Sequence, residues 1–310
     1  QKYIDTASKK TYSVSTTEDK VDLISLKGDS NKINSYKGDD FIFDKGSSNQ
    51  ISAGEGNDTV ILSGSTNTKI YLEKGNDLIF VVGSSNQIGD KNIAKYNEGD
   101  DSIAVNGNKN KVYSGAGDDT ILITGESSTI DAGVGNDKVA IGGKKNTLNT
   151  YTGNDTVSVE GTQHIIDTDQ GDDEVQIKGD SNTIRTGLGN DTVTVYGKKN
   201  KIQTGDGNDK ITVDNLTEDS ITYTANESTI DLGKGDDQAI INSIAGTFSV
   251  EGGLGTNSVK LTNIDVNQYY GTYEKNVLEL FKANGTGESL KVTLTNVQSV
   301  EFSGGTVYTL

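Results

Sequence analysis

The sequence predicts an all-β fold: a parallel β-roll or β-solenoid with 18-residue coils, capped by a C-terminal module of β-strands. Three observations predict it. An aspartate triplet recurs at a nearly fixed interval, two short stretches of alternating hydrophobic residues lie between successive triplets, and the composition is too poor in apolar residues for one thick core. A fixed period with one structural unit per repeat is typical of solenoids.

The triplet Gly-(Asn/Asp)-Asp marks each coil. Successive triplets are 18 or 19 residues apart, apart from one interval of 24 residues. Their final aspartates are Asp40, Asp58, Asp77, Asp101, Asp119, Asp137, Asp155, Asp173, Asp191 and Asp209, and the triplet returns at Asp237 after ten extra residues. Each interval therefore corresponds to one coil.

A second glycine follows most of these aspartates by six residues, and an asparagine follows three residues later, as in Gly28/Asn31, Gly64/Asn67 and Gly197/Asn200. Glycine and asparagine tolerate the positive φ of tight turns, so we expect two turns per coil. Successive asparagines should stack into a ladder at the second turn.

The segments between the turns alternate apolar and polar residues, which indicates strands. We expect three aliphatic residues per coil to fill a thin sandwich between two parallel sheets. The inward positions are Val60, Ile121, Val139, Val157, Val175, Val193 and Ile211; Leu62, Ile123, Ile141, Val159, Ile177, Val195 and Val213; and Ile33, Ile51, Ile88, Val112, Ile130, Leu148, Ile166, Ile184 and Ile202.

Composition excludes several functions. Only 31% of the 310 residues are hydrophobic, but Ile, Val, Thr and 13 Tyr recur throughout, which argues against disorder. The formal net charge of -17 argues against nucleic acid or anionic membranes as partners and favours cations. The chain has no Cys and no long apolar stretch, so we expect no disulfides and no membrane insertion. It begins without Met, and we expect an excised or processed piece of a longer protein.

The aspartate column itself predicts a cation. Stacked coils place these carboxylates at the strand separation of about 4.8 Å, which is destabilising unless a positive charge intervenes. Hard divalent ions prefer carboxylate and carbonyl oxygens, and glycine turns allow carbonyls to face an ion. The alternative is that each aspartate only caps its turn through hydrogen bonds.

Segments such as Gly54 to Val60, Gly115 to Ile121 and Gly187 to Val193 resemble the calcium-binding nonapeptide of repeats-in-toxin (RTX) proteins. The resemblance implies a row of Ca²⁺ ions held by the triplet aspartates and by the turn glycines Gly54, Gly56, Gly115, Gly117, Gly133, Gly135, Gly187, Gly189, Gly205, Gly207, Gly233 and Gly235. Ten aspartates from Asp40 to Asp209 make nine intervals, so about nine ions would nearly neutralise the chain.

The sequence departs from the RTX pattern in two ways. The second edge carries asparagine instead of a second nonapeptide, so we expect one row of calcium ions and not two. The first glycine of the motif is replaced in several coils by Tyr36, Glu73, Asn97, Tyr151 and Asp169. Of these, Glu73 and Asp169 offer additional carboxylate ligands.

We expect three segments: an N-terminal cap at 1–27, RTX-like repeats at 28–237, and a C-terminal β capping module at 238–310. Asp22 lies 18 residues before Asp40 and starts a coil without glycine inside the cap. The extra residues near 89–97 and between Asp209 and Asp237 should form loops. The last strands resemble the module that follows RTX arrays in type I secreted proteins.

The resemblance implies a non-enzymatic, calcium-binding structural segment of an extracellular bacterial surface protein, of the adhesin or surface-layer type, which folds on calcium outside the cell. Cell-surface polysaccharide or self-association in a lattice are its possible further partners. The alternative is a secretion and folding module of a larger RTX toxin or exoenzyme. A lyase is disfavoured because the chain has one His and one Arg, and His164 stands in the asparagine column. Ice binding is disfavoured because the outward column after the aspartates is irregular.

Overall fold

The computed structural model describes residues 3–6, 11–13, 21–90, 98–218, 221–223, 227–243, 245–282 and 289–310, and for 3–6, 11–13, 216–218 and 221–223 it describes the backbone alone. Most of the predicted 89–97 loop, including Asn97, and much of the N-terminal cap lie outside these residues. The chain divides into two compact units, residues 1–156 and 157–310.

The first unit contains two parallel sheets. In sheet A the strand order is β1 (Tyr3–Thr6), β3 (Leu23–Leu26), β5 (Phe41–Asp44), β7 (Thr59–Thr66), β9 (Leu78–Ser84), β11 (Ser102–Asn106), β13 (Thr120–Glu126) and β15 (Lys138–Lys144). In sheet B it is β2 (Thr11–Ser13), β4 (Lys32–Asn34), β6 (Gln50–Glu55), β8 (Lys69–Lys74), β10 (Gln87–Ile88), β12 (Lys111–Ala116), β14 (Thr129–Val134) and β16 (Thr147–Thr152).

The second unit repeats this arrangement. Its part of sheet A runs β17 (Thr156–Thr162), β19 (Glu174–Lys178), β21 (Thr192–Tyr196), β23 (Lys210–Asp214), β27 (Gln238–Ile241), β29 (Ser258–Leu261), β33 (Ser299–Phe302) and β34 (Val307–Thr309). Its part of sheet B runs β18 (Ile165–Asp167), β20 (Thr183–Leu188), β22 (Lys201–Asp206), β26 (Ser228–Asp231), β28 (Gly246–Glu251), β32 (Ser289–Thr295), β31 (Val277–Lys282) and β30 (Tyr269–Glu274). A separate hairpin pairs β24 (Leu216–Glu218) with β25 (Ile221–Tyr223).

The predicted all-β parallel solenoid is confirmed, because every coil adds one strand to each sheet and equivalent residues pair between coils. Ile103 pairs with Ile121, for example, and Ile130 pairs with Leu148. All the predicted inward aliphatic residues are at most 2% exposed. The core is thus a single layer of side chains from each sheet, which explains how the fold forms with so little hydrophobic residue.

One core position is polar. Asp44 pairs with Leu26 and Leu62 in the inward column of sheet A and is fully buried. Its Oδ1 accepts hydrogen bonds from the backbone N–H of Gly46 and from Asn49 Nδ2, both at 2.8 Å. Burial raises the pKa of Asp44 to about 6.

The second-turn marker Gly64/Asn67 was wrong by one residue. A register shift between Ser63 and Ser65 in β7 inserts one residue, so that Thr68, and not Asn67, occupies the buried ladder position. Thr68 accepts a hydrogen bond from the Asn49 N–H and donates its own N–H to Asn86 Oδ1. This extra residue accounts for the 19-residue interval between Asp58 and Asp77.

The coils continue beyond Asp237. Strands β28, β29, β32 and β33 stack in parallel in the same way as the earlier ones. Antiparallel strands then cap both sheets, with β34 on β33 and the β30–β31 hairpin on β32. The C-terminal β cap is therefore confirmed. The segment boundary at 237/238 stays a prediction: the aspartate triplets end there, but the coils do not.

Adjacent residues on β18 test the thin core. We expect Ile166→Ala, at a fully buried position, to lower the free energy of unfolding by about 2–4 kcal/mol because it leaves a cavity. Ile165→Ala is the control: this side chain is 45% exposed, and its truncation should change stability by about 0.5 kcal/mol or less. Equal losses, measured by chemical denaturation with calcium present, would contradict this packing.

Candidate metal centre

The triplet aspartates lie where the first turn enters sheet A, and each is only 1–2% exposed. Their Oδ1 atoms accept the backbone N–H of the aspartate one coil earlier. Asp40 N donates to Asp58 Oδ1 at 2.7 Å and Asp119 N donates to Asp137 Oδ1 at 2.9 Å. The same bond joins Asp22 to Asp40, Asp58 to Asp77, Asp77 to Asp101, Asp101 to Asp119, Asp137 to Asp155, Asp173 to Asp191, Asp191 to Asp209 and Asp209 to Asp237.

The second carboxylate oxygen in this buried aspartate row has no hydrogen-bond partner at many positions. Asp58, Asp77 and Asp137 each bury an Oδ2 atom in this way. The same is true of Asp22, Asp40, Asp119, Asp191, Asp209 and Asp237. A buried unsatisfied carboxylate oxygen is costly, and its repetition at equivalent positions indicates a ligand that the carboxylates are arranged to receive.

The electrostatics indicate the same need for positive charge. Burial raises the pKa of Asp58 to about 8, of Asp77 to about 9 and of Asp137 to about 8, and the hydrogen bond from the preceding coil offsets this only in part. Neighbouring aspartates of the row raise these pKa values further. Glu73 adds to the pKa increase of both Asp58 and Asp77, so its carboxylate lies within electrostatic range of the row.

The glycine preceding each Asx-Asp pair has no room for a side chain. A Cβ on Gly117 would lie 2.2 Å from the carbonyl oxygen of Gly99, and a Cβ on Gly135 would lie 2.0 Å from that of Gly117. Both glycines also have positive φ, 138° and 139°. Successive coils therefore stack the backbone carbonyl groups of these glycines in a column, here called the carbonyl file, along the edge that carries the aspartate row.

The first glycine of the motif is replaceable. Gly115 and Gly133 have φ values of 113° and 120°. Where the motif lacks this glycine, Tyr36, Glu73 and Tyr151 keep positive φ at 71–78°, and Asp169 does so at 69°. The turn therefore keeps a positive φ without glycine, at a lower value than at Gly115 and Gly133.

A second ladder runs along the same edge in the opposite direction. The Asx residue just before each row aspartate is exposed, and its Oδ1 accepts the N–H of the equivalent residue one coil later. Asn57 N donates to Asp39 Oδ1 and Asn136 N donates to Asp118 Oδ1, at 2.8 and 2.7 Å. Neighbouring coils are thus joined by paired side-chain bonds, one in each direction, which the sequence did not reveal.

Buried hydroxyl groups line the core beside the aspartate row. Thr186 Oγ1 donates to the carbonyl of Thr204 in the next coil at 3.1 Å, and Ser114 Oγ donates to the carbonyl of Ala132 at 2.7 Å. The Thr186 hydroxyl also lowers the pKa of Asp191, although burial dominates and raises it to about 6. Each of these hydroxyl residues lies two positions after a member of the third aliphatic column, Ile184 and Val112 respectively.

The aspartate row ends in neutral residues. Asn257 takes the next position and accepts the Asp237 N–H at 3.0 Å, and Asn257 N in turn donates to Gln298 Oε1 at 2.6 Å. The ladder therefore continues without charge where the coils approach the cap. Sequence analysis missed Asn257 and Gln298 because neither stands in a Gly-Asx-Asp triplet.

The donor set fits a hard cation. The oxygen donors along this edge are the carboxylates of the aspartate row and the backbone carbonyls of the glycine turns. Among the described residues, no three or more His, Cys, Asp or Glu side chains form a cluster able to hold a metal by themselves. Backbone carbonyls are also ligands that Ca²⁺ accepts readily.

Three stretches of the sequence, residues 34–68, 97–122 and 178–211, match the family model of the RTX calcium-binding nonapeptide repeat, in four copies. These stretches carry RTX-type calcium-binding repeats. All three matched stretches include triplets whose aspartates belong to the buried row. No curated protein sequence matches the chain.

A solved structure shares the fold of this chain. A hyperactive, Ca²⁺-dependent, β-helical antifreeze protein from an Antarctic bacterium superimposes with a TM-score of 0.60, covering 98% of this chain and 94% of its own, at 22% sequence identity. At this identity the likeness shows a common β-helical fold.

The second edge of the RTX coils is held by amides instead of carboxylates. Asn182 Oδ1 accepts the His164 N–H at 2.9 Å, and Asn182 Nδ2 donates to the Gly161 carbonyl at 3.1 Å. The expected stacking of one amide on the next is thus replaced by side-chain-to-backbone bonds. His164 is 1% exposed and occupies an asparagine position of this ladder, as predicted.

Substitution of a row glycine tests the carbonyl file. We expect Gly117→Ala to lower the calcium-loaded free energy of unfolding by about 3 kcal/mol or more, because the added methyl group meets the Gly99 carbonyl at positive φ. Gly142→Ala is the control, since its nearest neighbour would be 3.8 Å away; it should change stability by about 0.5 kcal/mol or less. Equal effects of the two variants in a denaturation series would argue against the close approach.

The raised aspartate pKa values predict an unusual pH dependence in chelator. Because the folded row binds protons more tightly than the unfolded chain, folding should become more favourable as pH falls from about 8 to about 5. With calcium the direction reverses, because protons compete for the same carboxylates, so more calcium is needed at lower pH. Denaturation midpoints measured at several pH values check both signs, and chelated protein whose stability drops over this range would contradict the row electrostatics.

Proposed function

We propose that Ca²⁺ ions bind along the aspartate edge and that the chain is a calcium-stiffened structural segment of an extracellular bacterial surface protein, of the adhesin or surface-layer type. In this role the segment folds when it meets calcium outside the cell. Within the described residues, no helix is long and apolar enough to cross a membrane. The function is mechanical and non-enzymatic.

One observation carries the proposal: a buried carboxylate oxygen without a hydrogen-bond partner recurs from coil to coil, beside a file of glycine carbonyls. A turn-capping role, the alternative for these aspartates, is served by Oδ1 alone. It would leave Oδ2 buried and unsatisfied in successive coils. A cation supplies the compensating charge to these atoms.

The proposed ligands are the aspartates from Asp40 to Asp237 and the paired glycines of the intact motifs. Where Oδ2 has no hydrogen-bond partner, as in Asp58, Asp119 and Asp137, it is the atom presented to the ion, while Oδ1 remains bonded to the preceding coil. About nine ions, one per interval from Asp40 to Asp209, would nearly cancel the net charge of -17. Glu73 and Asp169 replace glycine in two coils and would add a carboxylate there.

The surroundings of the single histidine support a non-enzymatic role. His164 is buried inside the second-edge ladder, where its backbone N–H is committed to Asn182. The nearby Arg185 is on the outer face of β20 and pairs in register with Asp167 of β18. Proton-abstraction chemistry requires such groups clustered in an accessible groove.

A second role deserves comparison, that of a calcium-dependent secretion and folding module of a larger toxin or exoenzyme. The observation that favours it is the C-terminal cap, since the sequence of β32 to β34 resembles the module that follows RTX arrays. The antifreeze activity of the structural neighbour does not transfer. Ice binding requires a regular flat array, whereas the outward column after the aspartates includes Thr59, Leu78 and Lys138.

Calcium titration of chelator-treated protein tests the proposal. We expect a cooperative gain of β-sheet signal in far-UV circular dichroism with Ca²⁺, and little gain with Mg²⁺, because the ion converts binding energy into folding energy. Calorimetry gives the number of ions bound. A chain that stays folded in chelator and binds no calcium would overturn the proposal.

Two neighbouring aspartates provide a matched pair for the same assay. Asp137→Asn keeps the Oδ1 acceptor, as Asn257 shows, but removes a buried charge; we expect more stable chelated protein and a higher calcium midpoint. The control is Asp118→Asn. Asp118 lies in the exposed ladder, where Asn57 and Asn190 already occupy equivalent positions, so this variant should keep the stability of the chelated protein and shift the calcium midpoint by no more than about twofold. Identical behaviour of the two variants would place calcium elsewhere.

A further inference from the structure

The outer face of sheet A carries a flat apolar area in the first unit. On β5, β7, β9, β11 and β13, the residue three positions after the row aspartate points outward, and the register places these side chains next to one another. They are Phe43, Ile61, Phe80, Ala104 and Leu122. This apolar row crosses these five strands without interruption, and Ala140 extends it to β15.

Strand β9 widens the apolar row. Its outward residues Leu78, Phe80 and Val82 are all apolar, with exposures of 38%, 43% and 56%. Polar, uncharged residues such as Ser102 and Asn106 lie on either side of the row on the neighbouring strand β11. An exposed apolar centre with a polar rim is typical of an interaction surface.

The area is also nearly free of charge. Among the outward positions one, three and five residues after Asp40, Asp58, Asp77, Asp101 and Asp119, the only charged residue is Lys45. Its Nζ lies 5.1 Å from the centre of the Phe43 ring. In a chain of which 24% is charged, a second acidic molecule therefore meets no opposing carboxylates on this face.

We propose that two copies of this chain associate face to face through the apolar row. Five strands about 4.8 Å apart and three outward residues per strand give a footprint of about 24 by 20 Å, so the pair buries about 1,000 Å² in total. This is the lower end for a specific interface, and the dimer is accordingly weak and concentration-dependent. Outer faces of parallel sheets are normally covered, and the second copy supplies that cover.

Side-chain sizes along the row favour one arrangement. A two-fold axis lying in the contact plane along β9 places Ile61 opposite Ala104 and Phe43 opposite Leu122, so a large residue faces a smaller one. Phe80 then meets Phe80 of the second copy at the centre. The alternative axis, along the row itself, places Ala104 opposite Ala104 and leaves a gap there.

This inference rests on the proposed function, because calcium both folds the strands that form the face and reduces the charge that separates two copies. The experiment is sedimentation equilibrium over a wide concentration range in calcium, with circular dichroism on the same samples. We expect Phe80→Thr to weaken association by at least about tenfold and Ile165→Thr, an exposed aliphatic residue on the outer face of sheet B, to leave it unchanged.

The possible failures are distinguishable. A calcium-folded chain that stays monomeric at every concentration overturns the dimer and leaves the proposed function intact, whereas absence of calcium-dependent folding overturns the proposed function itself. If the folded monomer is retained on cellulose and the Phe80→Thr variant is not, the face binds an uncharged polysaccharide and the dimer is overturned.

Cross-linking tests the arrangement, because the chain contains no Cys. Mild oxidation of a mixture of Ile61→Cys and Ala104→Cys should form disulfide-linked dimers, and neither variant should do so alone. Dimers that sediment normally but cross-link equally well in the single variants would overturn the axis along β9.

Discussion

The hydrogen bond from one aspartate N–H to the carboxylate of the next coil is the interaction on which the structure depends. It fixes the vertical spacing of the coils and turns each Asp side chain inward, where the strand separation of about 4.8 Å forces like charges together. The exposed Asx ladder forms hydrogen bonds in the opposite direction, so a displacement of one coil along its neighbour would break both ladders. The glycine turns follow from the same stacking, because a Cβ at Gly117 would occupy the place of the Gly99 carbonyl. Backbone geometry therefore creates the electrostatic problem that a cation resolves.

The thin core makes this problem decisive. Each coil contributes a few aliphatic side chains, such as Val193, Val195 and Ile184, and contacts only the coils above and below it. In a globular domain, the stabilisation from a large apolar core can offset the free-energy cost of one buried charge. Here the small core of a single coil has to offset the cost of each charge. The folded state is consequently sensitive to what neutralises the row, and a calcium-rich exterior differs from a calcium-poor cytoplasm in that respect.

The sequence predicted much of this because identical environments repeat. The period located the aspartate row, both turns and the inward columns, since each column samples one environment many times. The failures occur where the repetition stops. Thr68 was missed because a one-residue shift in β7 left an asparagine beside the true ladder position, and Asn257 and Gln298 were missed because their coils lack the glycine triplet. The apolar row centred on Phe80 is confined to part of one unit, so it does not appear in the periodic pattern of the sequence. The exposed Asx ladder was missed because the direction of a hydrogen bond cannot be read from the amino-acid sequence.

The 28-residue interval from Asp209 to Asp237 shows how the coils tolerate added chain. Asp209 N still donates to Asp237 Oδ1 at 2.8 Å, and Ile202 still pairs with Ile230, although the β24–β25 hairpin has been inserted between β23 and β26. The inserted residues leave at the asparagine edge and return there, so the carboxylate edge is undisturbed. The asparagine edge is thus a position at which loops of similar length can be exchanged, at 215–227, to give a scaffold that presents a foreign segment without altering the aspartate row.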